Sequence, residues 1–262
     1  MIPKVKFILP DAEYEVMILE IFASLRSGYS SWQKILFKWN PGLEDSLKGT
    51  KTKQQRLDAI WKKYVRQALV DTKKKRAAQR ALFQKEWNKI NNDFMKSAEK
   101  VIETKWWLKT VDAKVSLCTI NPRNIATSSF GVWYQSNSSR MIKTVMHECI
   151  HFLYFRKFKE VFPDISEDTY NGHNSLVWAL SEIMVAPILN QPEIRQFLES
   201  DAEGYRQFQK FKLSNGKIMV EHFEQLFNRN RKKGLSFADN IKSCYSDAEK
   251  YRDEIKQIAQ QK

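Results

Sequence analysis

The run M-I-K-T-V-M-H-E-C-I-H-F-L-Y-F, residues 141–155, carries Ile142, Val145, Met146, Ile150, Leu153 and Tyr154 at helical spacing. Inside it lies His147-Glu148-Cys149-Ile150-His151. Four residues turn a helix by about 400°, so the two imidazoles stand on one face, one turn apart, and can reach a single ion. Zinc accepts neutral imidazole nitrogen readily. Glu148 lies about 100° round from His147, close enough to reach a water held by a metal without displacing it as a ligand. The spacing therefore suits two ligands and one general base. The chain has only 4 histidines, and two of them fall in this apolar helix, where uncompensated polar groups would be costly.

Around that helix the composition is that of a folded chain. Its 262 residues can bury a substantial core, and 42% of them are hydrophobic, with 8 Trp and 16 Phe. The formal net charge of +14 is unevenly spread, since residues 48–110 hold 18 Lys or Arg against 6 Asp or Glu. A local basic surface suits nucleic acid, an anionic membrane or an acidic protein, and equally a solvated helix face. Cys118, Cys149 and Cys244 are odd in number and widely spaced, which argues against a disulfide scaffold and for a reducing compartment. Cys149 points away from the two histidines and reads as core packing. In the first 20 residues the apolar run Val5 to Leu9 is short and is ended by Pro10-Asp11, so no signal peptide is expected. No run of about 18 apolar residues could span a bilayer. A cytoplasmic protein without a transmembrane segment is expected.

Taken in order, the chain reads first as helix over residues 11–27, with Asp11 as N-cap and Gly28 as stop, then as a short helix from Ser31 to Trp39 closed by Asn40-Pro41-Gly42. From Thr52 to Lys105 the pattern is helical throughout. Within it, Lys73-Lys74-Lys75-Arg76 marks either the solvated middle of one long helix or a turn between two. Apolar and polar residues alternate from Val111 to Leu117, the mark of a half-buried strand, and Asn121-Pro122 supplies a turn before a second strand, Thr127 to Gln135. Asn137, Ser138 and Ser139 offer N-caps for the histidine helix. A further helix starts near Ser175 and meets Pro187 and Pro192. Residues 192–262 read as three or four more helices.

The His-Glu-x-x-His element resembles the active-site helix of the zincin metallopeptidases. That resemblance implies zinc (Zn2+) as cofactor, a peptide or protein substrate, His147 and His151 as ligands and Glu148 as the catalytic base. It also implies that the strand before the helix is an antiparallel edge that pairs with extended substrate, which makes Ser129 to Tyr134 the candidate. Metzincins are excluded, because the glycine and third histidine of that family are replaced here by Tyr154 and Lys157.

A third ligand is needed. Glu182, in Leu180-Ser181-Glu182-Ile183-Met184, resembles the glutamate on the second active-site helix of the gluzincins, and a charged group among such neighbours needs a partner. The rival is His173, in Asn171-Gly172-His173-Asn174, which resembles the third-ligand position of Spartan-like proteases acting on DNA-bound proteins. Nine residues apart on one helix, the two would lie ~13 Å apart along its axis and could not share an ion. Glu182 is favoured. Tyr134, His173 and Tyr170 are candidates for stabilising an oxyanion, and His222 reads as a partly buried helical histidine.

The expected fold is α+β and predominantly helical, with a zincin-like core in which a small antiparallel sheet precedes the His-Glu-x-x-His helix and a second active-site helix. The expected division is a basic helical region at residues 1–110, a metal-binding core at 111–191 and a helical region at 192–262, packed as one compact unit. The competing expectation is a basic nucleic-acid-binding or partner-binding helical protein with a structural metal.

Overall fold

A computed structural model describes residues 1–24, 30–170, 175–204 and 206–260. The elements in chain order are β1 (Lys4–Ile8), α1 (Ala12–Ala23), α2 (Ser30–Trp39), α3 (Leu43–Leu47), α4 (Lys53–Ile60), a π turn (Trp61–Val65), α5 (Arg66–Asn88) and α6 (Asn91–Ile102). They are followed by β2 (Thr110–Ser116), β3 (Arg123–Asn124), β4 (Ser129–Trp133), α7 (Ser138–Val161), a 3-10 turn (Glu167–Tyr170), α8 (Leu176–Leu189), α9 (Pro192–Arg195), α10 (Arg206–Lys210), α11 (Met219–Lys232), α12 (Phe237–Lys250) and α13 (Arg252–Gln260). The fold is thus α+β and mostly helical. Two compact units form, one from residues 4–89 and 110–144, the other from residues 1–3, 90–109 and 145–261.

The first unit holds a four-stranded sheet in the order β1-β2-β4-β3. β1 runs parallel to β2, with Val5 opposite Val111, and β2 runs parallel to β4, with Val115 opposite Val132. Only β3 is antiparallel, pairing Asn124 with Ser129. The sheet is therefore mixed and mainly parallel, which corrects the expected antiparallel sheet, and β4 lies between two strands and is not an antiparallel edge. Alternation in a sequence reports that a segment is extended and which face it buries, but not its neighbour. The Asn121-Pro122 turn leads into β3, and the tight connection is the one from β3 to β4, where Thr127 N donates to Asn124 Oδ1 at 3.0 Å and Ser128 takes φ 49°. Gly131 allows the returning segment to approach: its N–H donates to Pro122 O at 2.9 Å, and a Cβ there would meet Pro122 Cδ at 3.0 Å.

β1 was not expected as a strand, although Lys4, Val5, Lys6 and Phe7 alternate and Val5 and Phe7 are buried on one face. Its open edge is closed by one side chain of α5. The Gln84 amide nitrogen donates to Val5 O at 3.1 Å, and its carbonyl oxygen accepts from Phe7 N at 3.0 Å, in place of the neighbouring strand that an edge lacks. On the helical side of this unit, Asp11 caps α1 by accepting from Tyr14 N at 2.7 Å, and a Thr52/Gln55 capping box starts α4. Val16 and Leu19 of α1 pack with Leu36, Leu43, Ile60 and Val65 in one apolar cluster.

Lys73 to Arg76 fall in the middle of α5, so the helix is continuous there, and the break comes at Lys89-Ile90. The three lysines are exposed, but Arg76 is buried. Its Nη2 lies 3.1 Å from Glu15 Oε1, while Glu15 Oε2 accepts from Ser116 Oγ at 2.7 Å and from Leu117 N at 3.1 Å. Burial raises the Glu15 carboxyl to about 7, a rise that the Ser116 bond and the Arg76 charge only partly offset.

In the second unit, Val145, Met146, Ile150 and Leu153 of α7 are buried, and every residue of α8 from Leu176 to Leu189 is buried. Pro187 sits inside α8 without ending it. From Pro192 on, the described residues form five helices where three or four were expected; α9 and α10 span four and five residues, too short to show a period. Phe223 and Phe227 of α11 and Phe237 of α12 are buried there, and Asn240 Nδ2 donates to Phe227 O at 3.0 Å. Among the described residues, no helix is long and apolar enough to cross a membrane.

The Glu15 carboxyl sets a pH dependence. Its folded pKa of about 7 exceeds the ordinary 4.5, so the native state retains a proton that the unfolded chain releases. The contribution of this group to stability is fully present below the ordinary value and is lost as pH rises through the window up to the folded one. Melting temperatures recorded from pH 5 to 8 should decline less steeply for Glu15→Gln than for wild type; identical slopes would show that Glu15 does not titrate in the folded chain.

Candidate metal centre

The centre lies within the second unit, where α7 and α8 face each other. Asn137 starts α7 by accepting at Oδ1 from Arg140 N at 2.8 Å, and the helix then runs unbroken to Val161. His147 and His151 consequently stack one turn apart, as the i, i+4 spacing dictates. Their Nε2 atoms are 3.0 Å from each other. α8 starts at Ser175, whose hydroxyl accepts from Val177 N at 3.1 Å, and carries Glu182 to the same point. Glu182 Oε2 lies 3.4 Å from His147 Nε2 and 3.3 Å from His151 Nε2.

These three atoms form a nearly equilateral triangle. A tetrahedral zinc ion with bonds of ~2.0–2.1 Å holds its ligand atoms about 3.3 Å apart, so the donor set fits such an ion in both spacing and chemistry. One proton shared between the two imidazoles would serve a single edge of the triangle. A cation serves all three. The Glu182 carboxylate is 97% shielded, and it is the only ionisable group in a helix of 14 buried residues. Burying such a charge costs several kcal/mol, roughly, unless a cation or a set of donors compensates. The three groups are the cluster of potential metal ligands found among the described residues.

Burial is graded across the triangle. His151 is wholly buried, whereas 22% of the His147 side chain is exposed, so the centre is open to solvent on the His147 side. Glu148, next in the helix, is buried. Behind His151 lies an aromatic stack in which Phe155 is 5.9 Å away at 18° and Tyr170 lies 4.8 Å beyond at 12°. That backing holds the His151 ring. Its signal in the sequence is the i, i+4 spacing of His151 and Phe155, which reads as ordinary core packing without the structure.

The other residues singled out in the sequence lie elsewhere. Cys149 is fully buried, its thiol pushed well up by burial and by the neighbouring Glu148, and it is not in the ligand cluster. Tyr170 is separated from His151 by the Phe155 ring, and burial raises its hydroxyl to about 12. Tyr134 follows β4 in the first unit, where its hydroxyl accepts from Gln135 Nε2 at 2.7 Å. His222 of α11 is 2.5 Å from Asp247 Oδ2 on α12 and takes no part in the cluster. His173 lies outside the described residues.

No protein-family model matches the chain, and no characterised protein or solved structure matches it significantly.

If this triangle holds zinc, removing the carboxylate should weaken its binding. Spread over its ligands, the binding free energy of a protein zinc site makes the loss of one worth ~100-fold in affinity. Elemental analysis of purified protein is expected to find zinc in wild type and in His173→Ala, and little in Glu182→Ala. Zinc retained by Glu182→Ala and lost from His173→Ala would transfer the third-ligand role to His173.

Proposed function

We propose that the protein is a zinc-dependent metallopeptidase of gluzincin type, in which His147, His151 and Glu182 hold Zn2+ and Glu148 is the general base. The observation that supports it is the convergence of two imidazole nitrogens and one buried carboxylate oxygen within 3.4 Å, beside a second glutamate on the same helix turn. The donor set of two histidines and one glutamate is one that catalytic zinc uses, with a further position left for substrate or water. The exposure of His147 agrees with an open position better than with a closed structural site.

When bound, zinc would supply Lewis-acid polarisation of a substrate carbonyl and make water a better nucleophile at neutral pH. The chain's own residues do the rest. Glu148 accepts a proton at its carboxylate from the attacking water and delivers it to the departing amide nitrogen, which leaves as an amine. One water is consumed, and one carboxyl and one amino group result. His151, wedged against Phe155, fixes the position around which this exchange occurs. The apolar surroundings of α8 keep bulk water from the Glu182 side and so strengthen every charge interaction there.

Glu148→Gln keeps the shape of the side chain and removes its basicity. Hydrolysis of denatured casein or of a mixed fluorogenic peptide library should fall by about 10²- to 10⁴-fold, with zinc content unchanged. If the zinc-loaded wild type cleaves neither substrate, or if Glu148→Gln is fully active, the peptidase reading fails.

A further inference from the structure

Away from the metal centre, the first unit presents one exposed indole, Trp39, backed by the buried rings of Trp133 and Tyr134 and edged with cations. Trp39, the last residue of α2, is 47% exposed and is braced edge-on by Trp133 at the end of β4, with ring centroids 5.2 Å apart at 62°. Three cations lie against this group. Lys38 Nζ is 5.6 Å from the Trp39 ring, the Arg140 guanidinium is 5.3 Å from the Trp133 ring, and Lys75 Nζ is 5.6 Å from the ring of Tyr134, the next residue along. The end of α2 is fixed in place by the Tyr64 hydroxyl, which donates to Asn40 Oδ1 at 2.9 Å. Gln79 Nε2, donating to Ser136 O at 2.9 Å, holds α5 and its lysines to the segment after β4.

The surface thus sits at the carboxyl ends of the parallel strands, the end at which sheets of this kind leave their ligand crevices. Lys38, Lys75 and Arg140 form no ion pair with a carboxylate among the described residues. Their charge is available to an outside partner.

We propose that this surface binds single-stranded nucleic acid, with a base stacked on Trp39 and the flanking phosphates held by Lys38, Arg140 and Lys75. Every base offers a π-face, and an indole held rigid beside unpaired cations is the combination that strand-binding proteins use. A duplex keeps its bases stacked inward and would meet only the cations. An anionic membrane would need a continuous apolar face. On α2 the described apolar side chains that are exposed are Ile35 and Trp39, set among Lys34 and Lys38.

The test is fluorescence anisotropy with labelled thymidine and uridine oligomers of about 20 nucleotides and a duplex of the same length, using the full chain. Both single strands should bind at least ~10-fold more tightly than the duplex. Trp39→Ala should weaken single-strand binding by about tenfold, the low end of one stacked base, while Trp39→Phe should stay close to wild type. Lys38→Gln combined with Arg140→Gln should reduce the slope of log affinity against log salt by about 1.4, from roughly 0.7 per charge removed. Lys250→Gln, in the second unit, should change nothing. Circular dichroism melts of each variant separate loss of fold from loss of contact. Equal binding of duplex and single strand, unaffected by Trp39→Ala, would overturn the proposal in favour of non-specific charge. Binding of phosphatidylserine vesicles without binding of any oligomer would overturn it in favour of a membrane surface.

Discussion

The second unit depends on one buried charge. Glu182 stands alone as an ionisable group in α8, a helix whose other residues fill the core, and its carboxylate meets the two imidazoles of α7. Each half of this arrangement constrains the other. α8 can be apolar on all sides because it is enclosed, and being enclosed it can carry a carboxylate only where compensation is built in. α7 supplies that place by putting two nitrogens one turn apart. The stacked rings of Phe155 and Tyr170 back His151 on the side away from the triangle, so packing as well as the helix period supports its position.

The first unit solves a similar problem with different chemistry. Glu15 and Arg76 are both buried, one on α1 and one on α5; the Glu15 carboxylate faces Arg76 and also accepts from Ser116 Oγ and from Leu117 N at the end of β2. Burial outweighs these partners enough to raise the carboxyl toward neutrality. The pair fixes α1 and α5 to the same strand end, while Gln84 fixes α5 to β1. A small sheet of short strands is thereby held at its edge and at its carboxyl end by polar contacts from one long helix, which apolar packing alone would leave free to slide.

The basic stretch between residues 48 and 110 divides by the same logic. Arg76 is drawn inside by Glu15, and Arg56 pairs with Glu20 at 2.8 Å, whereas Lys73, Lys74 and Lys75 face outward. The run of four cations looks uniform in the sequence because charge carries no direction. Only the helix turn, and a carboxylate 61 positions earlier in the chain, decides which of the four is structural.

The sequence by itself determined what is local. The His147 and His151 pair, its adjacent Glu148, the caps at Asp11 and Asn137, and the alternation of β2 all follow from spacings of two to four residues, and such spacings act wherever the segment ends up. The parallel course of β1, β2 and β4, the central place of β4, the brace between Trp39 and Trp133, and the distances at which Glu182 meets His147 and His151 came only from the tertiary structure. Each of these joins groups whose separation along the chain gives no period to read. Loop closure and burial, summed over the whole chain, choose among many pairings that the local pattern leaves equal.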